Sequence, residues 1–227
     1  MTSKPSAETA PRGAYPRAAE RERMVREQLR GRDIVDARVL EAMRSVPRHE
    51  FVGPSLQAEA YDDRPLSIGH EVTVSQPYIV GLMSQLAAVG PGQRVLDVGT
   101  GSGYQAAVLA AMGARVYGIE IIEPLAVAAA ERLARLGYSV TVRHGDGRRG
   151  WPEHAPYDAI VLAAAPHEVP DALVEQLAVG GRLVLPVGRR YRQELVVVTR
   201  TAPGVERRHV TPVAFVPMTG PVDRAEA

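Results

Sequence analysis

The sequence predicts an α/β fold: a mostly parallel sheet with helices on both faces, a C-terminal antiparallel hairpin and an N-terminal helical cap. Three observations predict it. Residues 77–187 alternate helical and strand-like segments, the pattern of parallel strands joined through helices. The apolar run Arg94–Val98 leads straight into a glycine-rich turn, Gly99-Thr-Gly-Ser-Gly103, that opens a helix. The last two strand-like runs are separated by a short link containing Pro203-Gly204, and strands joined that closely pair antiparallel.

Taken in order, residues 1–17 are rich in Ala, Pro, Ser and Thr and read as a tail. Residues 18–30 carry strong helix formers with spaced Met24, Val25 and Leu29, and Gly31 is a stop signal. A second helix is expected over Asp36–Arg44, ending before Pro47, and short helical pieces over Arg48–Ala60. These make an 18–60 cap. Residues 61–76 form an irregular segment, and a loop that long inside a compact domain is usually functional. The main domain is expected over 77–220. It starts with a helix at Pro77–Val89, with Pro in its first turn. Strands are expected at Arg94–Val98, Arg115–Glu120, Ser139–Arg143, Tyr157–Ala163, Gly181–Val187, Glu194–Thr199 and His209–Pro217. Helices are expected at Gly103–Met112, Pro124–Leu136 and Pro170–Ala178, and residues 221–227 as a second tail.

Composition removes several function classes. The 227 residues carry 27 basic and 26 acidic side chains, well mixed, for a net charge of +1. That balance gives no footprint for nucleic acid and no polybasic patch for a membrane surface. There is no Cys, which excludes disulfides, thiolate nucleophiles and thiolate-bound zinc. The six His residues include no pair three or four apart, so no helical His-x-x-x-His metal site is expected. No run of 18 apolar residues and no signal-peptide core is seen, and a cytoplasmic protein without metal is the expectation.

The chemistry gathers at the glycine turn. Gly99, Gly101 and Gly103 let the backbone turn sharply and let a ligand approach. Asp97 lies at the mouth of that turn, where a carboxylate suits an ammonium and repels a pyrophosphate. Glu120 closes the next strand and can accept from two ribose hydroxyls. Asp146, in His144-Gly-Asp-Gly147, follows the third strand and can meet an adenine amino group. Each acid alone reads equally as a helix cap or a solvated loop residue. Three of them after three successive strands converge on one crevice. The set resembles the pattern of S-adenosylmethionine-dependent methyltransferases. A nicotinamide or flavin dinucleotide site would want G-x-G-x-x-G, and here the third Gly comes one residue early.

A closer resemblance lies in the segment Ser67-Ile-Gly-His-Glu-Val-Thr-Val-Ser75-Gln-Pro-Tyr78, with Tyr61-Asp-Asp and Val46-Pro-Arg-His-Glu-Phe51 upstream. It is similar to the protein-L-isoaspartate O-methyltransferase family. So are Arg143-His-Gly-Asp-Gly147, Tyr157-Asp-Ala-Ile-Val161, Ala163-Ala-Ala-Pro166, Leu185-Pro-Val-Gly188 and Phe215-Val-Pro217. The likeness runs from about Met24 to about Thr219. The glycine motif is generic to methyltransferases, whereas Thr-Val-Ser-Gln-Pro and Ala-Ala-Ala-Pro are specific to this family. Glu71 and Val72 stand where relatives often carry small or amide residues, and the Ala-Ala-Ala-Pro run lacks a Thr or Ser.

The resemblance implies a doubly wound, Rossmann-like methyltransferase fold. It implies S-adenosyl-L-methionine as cofactor, with S-adenosyl-L-homocysteine as product, and isoaspartyl peptides and proteins as substrates. Ser75 is implied as the active-site residue. Val72, Thr73, Val74, Asp97, Gly99, Gly101, Ser102, Gly103, Glu120, Asp146, Gly147 and Thr219 are implied around the cofactor. Residue pattern alone gives Ser75 a second reading, as N-cap of the helix that starts at Pro77. Of the remaining candidates, Trp151 reads as a packing anchor and His144 as a local hydrogen-bonding residue. Arg148, Arg149, Arg189, Arg190 and Arg192 read as solvated surface. The alternative function is a carboxylate methyltransferase of the same fold acting on a natural-product peptide or a small molecule. A non-catalytic nucleotide-binding module and a nicotinamide oxidoreductase are further from the residues.

Overall fold

The computed structural model describes residues 17–189, 192–218 and 220. Helix α1 (Ala18–Met24) runs directly into a π-helical segment, Val25–Arg30, and α2 (Ala37–Ser45) follows. Asp36 caps α2 by accepting from the Arg38 N–H at 2.8 Å. Two short 3₁₀ turns, Arg48–Phe51 and Pro54–Glu59, lead to a two-residue hairpin of β1 (Leu66–Ser67) and β2 (Thr73–Val74), and then to α3 (Pro77–Ala87). The rest alternates: β3 (Arg94–Val98), α4 (Tyr104–Ala111), β4 (Arg115–Glu120), α5 (Glu123–Arg135), β5 (Val140–His144), β6 (Tyr157–Leu162), α6 (Asp171–Glu175) and β7 (Leu177–Arg189). Strands β8 (Arg192–Thr201) and β9 (Gly204–Val213) close the order.

The main sheet has seven strands in the order β5-β4-β3-β6-β7-β8-β9. Strands β3 to β7 are mutually parallel, and β8 and β9 pair antiparallel. The chain winds outward from β3 to β5 and then crosses to β6, so the winding reverses between β3 and β6. Ligands of open α/β sheets bind at the carboxyl ends of the strands flanking such a reversal.

Both faces of the central strands are buried, and the period of two along each strand divides them. Val95, Val116, Ala159, Val161, Leu195 and Val197 join one cluster, with Met24, Leu29, Met43 and Phe51 of the cap. Leu96, Val98, Ile119, Ile160, Leu162, Val196 and Val198 join the other, with Leu173 and Trp151. The cap is fixed by Arg48, which is fully buried. Its Nε donates to the Ala60 carbonyl at 2.7 Å, and its guanidinium lies 4.7 Å from the centroid of the Tyr104 ring. Tyr104 is the first residue of α4, so the cap grips the helix that follows the glycine turn.

Several boundaries differ from the sequence reading. The helix expected at Pro170–Ala178 shrinks to Asp171–Glu175, because Leu177 already pairs with Tyr157 in the sheet. The strand expected at Gly181–Val187 extends to both sides as β7. The last strand runs over Gly204–Val213, ahead of the expected His209–Pro217. Residues 214–218 leave the sheet and cross its carboxyl end, pairing only through an isolated Ala165–Pro217 bridge. Within 61–76 the irregular segment holds a small hairpin whose tip, Gly69-His-Glu71, has three consecutive positive φ values of 86°, 52° and 60°. For His70 and Glu71 that geometry is strained.

Candidate active site

At the carboxyl ends of β3, β4 and β6, against the β1–β2 hairpin, lies a cleft of about 1160 Å³. Single small-molecule sites occupy roughly 300–1,000 Å³, so this one holds room for more than one partner. Its floor is the glycine turn. The Gly99 and Thr100 N–H groups donate to the Ile119 carbonyl at 2.8 and 3.1 Å, tying the turn to β4. Gly103, the N-cap of α4, has φ 89°, and a Cβ there would meet the Leu133 side chain at 3.1 Å. Only glycine fits both the conformation and the space.

Glu120 braces the turn from the end of β4. One carboxylate oxygen accepts from the Gly101 N–H at 2.8 Å and the other from the Ile122 N–H at 2.9 Å. The side chain is buried and still lines the cleft, with lone pairs left for further donors. Asp97 sits behind the floor, fully buried. Its Oδ2 accepts from the Thr100 hydroxyl at 3.0 Å, whereas Oδ1 has no partner among the described residues. Burial pushes its carboxyl up to about 7; the Thr100 hydrogen bond opposes this, and the charge of Glu120 adds to it. A buried carboxylate oxygen lacking a donor, beside a glycine turn, fits a cationic amino group. The donor set therefore fits an amino-acid-bearing cofactor.

The other wall is the loop ahead of α3. Ser75 is half-buried and lines the cleft, and its hydroxyl makes no hydrogen bond to the described residues. The N-cap of α3 is Gln76, without a side-chain cap bond, so Ser75 does not have the capping role. Val72 and Thr73 line the same cleft. Val74 is buried and faces a small adjoining cavity together with Ser102.

The structure thus brings Val72, Thr73, Ser75, Gly99, Gly101 and Glu120 to the cleft surface. Val74, Asp97, Ser102, Gly103, Asp146 and Gly147 stand behind it or beside it, and Thr219 lies outside the described residues. Asp146 caps the short turn Gly147–Arg149, accepting from the Arg148 N–H at 3.0 Å. Gly147 is buried behind the cleft wall, and a Cβ there would meet Val98 Cγ1 at 2.3 Å. Gly147→Ala is therefore expected to overpack the end of β3 and lower the unfolding free energy by about 1–3 kcal/mol. Urea unfolding with a lower midpoint and unchanged slope is the check.

Sequence reasoning did not single out the lining residues Ile121, Ile122 and Gln193, and it read the strap 214–218 as strand through Pro217, with Phe215-Val-Pro217 marked only as a family-like motif. The apolar pair directly after Glu120 was a readable signal. The strap was hidden inside an assumed strand. Trp151 is indeed packed, with its carbonyl accepting from the Tyr157 hydroxyl and Arg143 4.3 Å from its ring centroid. His144 makes a local bond to the Ile121 carbonyl at 3.2 Å. Arg148 departs from the solvated-surface expectation: its Nη2 donates to the Met218 carbonyl at 3.0 Å and ties down the strap. Arg190 lies outside the described residues.

Comparison with known proteins agrees with this geometry. A family model described as protein-L-isoaspartate(D-aspartate) O-methyltransferase matches residues 19–223. A protein-L-isoaspartate O-methyltransferase of Gloeobacter violaceus is 56% identical over 198 residues, covering 86% of this chain and 97% of the relative. A solved protein-L-isoaspartate O-methyltransferase superposes with TM-score 0.80 at 29% identity, over 88% of this chain and 66% of that one. A Plasmodium falciparum protein assigned to the same activity, solved with S-adenosyl-L-homocysteine, gives TM-score 0.76 at 27% identity, over 91% and 99% of the two chains.

Proposed function

The chain belongs to the protein-L-isoaspartate(D-aspartate) O-methyltransferase family and carries its S-adenosyl-L-methionine-dependent activity, and we infer from that premise that the cleft esterifies the free α-carboxylate of L-isoaspartyl residues. The observation that supports the reading best is the shared cleft: the Ser75 side chain and the glycine turn braced by Glu120 line one cavity. S-adenosyl-L-methionine supplies an electrophilic methyl group on a sulfonium centre. Glu120 would accept from ribose hydroxyls, Asp97 would take the amino group, and Asp146 would stand near the adenine end. Ile121 and Ile122 would add apolar walls that exclude water.

An isoaspartyl α-carboxylate, with a pKa of about 3.3–3.7, is ionised near neutral pH. No residue of this chain has to remove a proton, so positioning carries the catalysis, and good alignment can supply roughly 7–11 kcal/mol. Ser75 would donate its hydroxyl proton in a hydrogen bond to the acceptor carboxylate and hold it in line. The methyl ester carries a better leaving group than the free carboxylate, so the neighbouring backbone nitrogen attacks the ester carbonyl, loses its proton and expels methanol as the succinimide closes, and hydrolysis of that ring returns part of the residue to ordinary Asp. Damaged peptides and proteins are the partners. Binding to nucleic acid, membrane or metal is not part of the proposal. Among the described residues no helix is long and apolar enough to cross a membrane, and no group of three His, Asp or Glu side chains is placed to hold a metal ion. A cytoplasmic location is proposed, and cell fractionation tests it.

The test uses two synthetic peptides that differ only in L-Asp against L-isoAsp, incubated with methyl-labelled cofactor. Base-labile label on the isoaspartyl peptide alone is expected. Label on neither peptide would overturn the reading. In the same assay Ser75→Ala is expected to lower kcat/KM about 10- to 100-fold, the loss of one charge-assisted hydrogen bond of roughly 1.5–3 kcal/mol.

A further inference from the structure

The strap 214–218 is one wall of the cleft, and each end is held differently. At its far end the Ala165 N–H donates to the Val216 carbonyl at 2.8 Å, the Met218 N–H donates to the Ala165 carbonyl at 2.9 Å, and Arg148 holds the Met218 carbonyl. Met218 is buried in the same cluster as Val98 and Ile119, at the strand ends beside the glycine turn. The near end is held by one side chain. Gln193 Oε1 accepts from the Phe215 N–H at 2.6 Å, and Gln193 Nε2 donates to the Phe215 carbonyl at 3.1 Å. Gln193 is 5% exposed and lines the cleft.

This is strand pairing continued by a side chain. The backbone ladder between β8 and β9 has Gln193 opposite Val213 at its end. Two residues later, where β9 has left the sheet, the amide of the same Gln193 offers Phe215 the donor and acceptor that a neighbouring strand would have offered. Phe215 packs against the cluster that contains Leu66, Val74 and Val80, the residues flanking the Ser75 segment. Gln193, Phe215 and Ser75 line the same cleft.

We propose that Gln193 is a positioning residue for the peptide substrate: its amide fixes Phe215 and with it part of the wall of the cleft that Ser75 also lines. The inference rests on the reading of this cleft as the isoaspartyl site. Gln193→Met keeps the side-chain length and removes both hydrogen bonds. It is expected to raise KM for an isoaspartyl peptide about tenfold, with kcat and S-adenosyl-L-homocysteine affinity changed less than about twofold, the pattern of lost acceptor binding. Hydrogen exchange of the Phe215 amide should quicken while the sheet stays protected. Gln193→Glu keeps the acceptor for the Phe215 N–H and loses the donor; it should raise KM in the same direction. An unchanged KM in a variant whose Phe215 exchange has quickened would overturn the proposal. So would a joint loss of kcat, cofactor affinity and sheet protection, which marks a merely structural residue. Wild-type turnover of the same peptide, measured alongside, separates failure of this inference from failure of the reading beneath it.

Discussion

Glu120→Ala is expected to weaken S-adenosyl-L-homocysteine binding by at least about 100-fold. The reason lies in how much one carboxylate holds. Its two oxygens accept from the N–H groups of Gly101 and Ile122, at 2.8 and 2.9 Å. Hydrogen bonds to a charged acceptor contribute roughly 1.5–3 kcal/mol each, and about 1.4 kcal/mol is a tenfold change in affinity. Removal leaves two backbone donors without their acceptor, loosens the turn and deletes the acceptor proposed for the ribose. Glu120→Gln does not rescue, because its NH₂ must face one of those N–H donors. Calorimetric titration with S-adenosyl-L-homocysteine checks this, and an affinity within threefold of wild type would sink it.

The second large effect concerns Asp97 and has two opposite signs. With the folded, ligand-free carboxyl at about 7 and the ordinary value at 3.8, the folded state keeps a proton that the unfolded chain releases between those pH values. Stability from this group is thus present at low pH and falls as pH rises from about 4 to 7, by on the order of 4 kcal/mol. Asp97→Asn removes the titration. The ligand-free variant should gain stability relative to wild type at pH 7.5, and its pH dependence should flatten. Its affinity for S-adenosyl-L-homocysteine, whose amino group is the proposed partner of the orphaned Oδ1, should fall about 30-fold or more, the usual cost of leaving one member of a buried charge pair alone. Wild-type affinity should rise from pH 6 to 8, and the variant's should not. Thermal unfolding and titration at three pH values decide it; a variant that binds as tightly as wild type would remove Asp97 from the site.

The sequence made the alternating core legible because the central strands are buried on both faces: β6 and β8 carry unbroken apolar runs at 159–162 and 195–198, and the run in β3 is interrupted only by Asp97. It made the glycine turn legible because Gly103 has no alternative at φ 89°. It singled out Ser75 only through resemblance, since the residues alone allowed a cap that the structure gives to Gln76. What stayed hidden was contact between distant segments. Residues 214–218 have strand-like composition and become a strap because Gln193 and Ala165, not a neighbouring strand, satisfy their backbone groups. Arg148 looked solvated because its partner carbonyl lies 70 positions away. The shortened α6 has the same cause, a pairing of Leu177 with Tyr157 that no local propensity records.

The Gln193 clamp has company. Gln85 accepts from the N–H groups of Val35 and Asp36 and donates to the Asp33 carbonyl, and Gln176 accepts from the Trp151 N–H and donates to the Arg149 carbonyl. Every one of these backbone staples is a glutamine, and the 227-residue sequence contains no asparagine at all. An asparagine amide is lost through a five-membered ring that forms readily with the next backbone nitrogen; a glutamine amide needs a six-membered ring that closes far more slowly. The amides that staple these backbone segments are thus of the durable kind. A protein that acts on the products of that ageing reaction builds its own framework without the residue that undergoes it fastest.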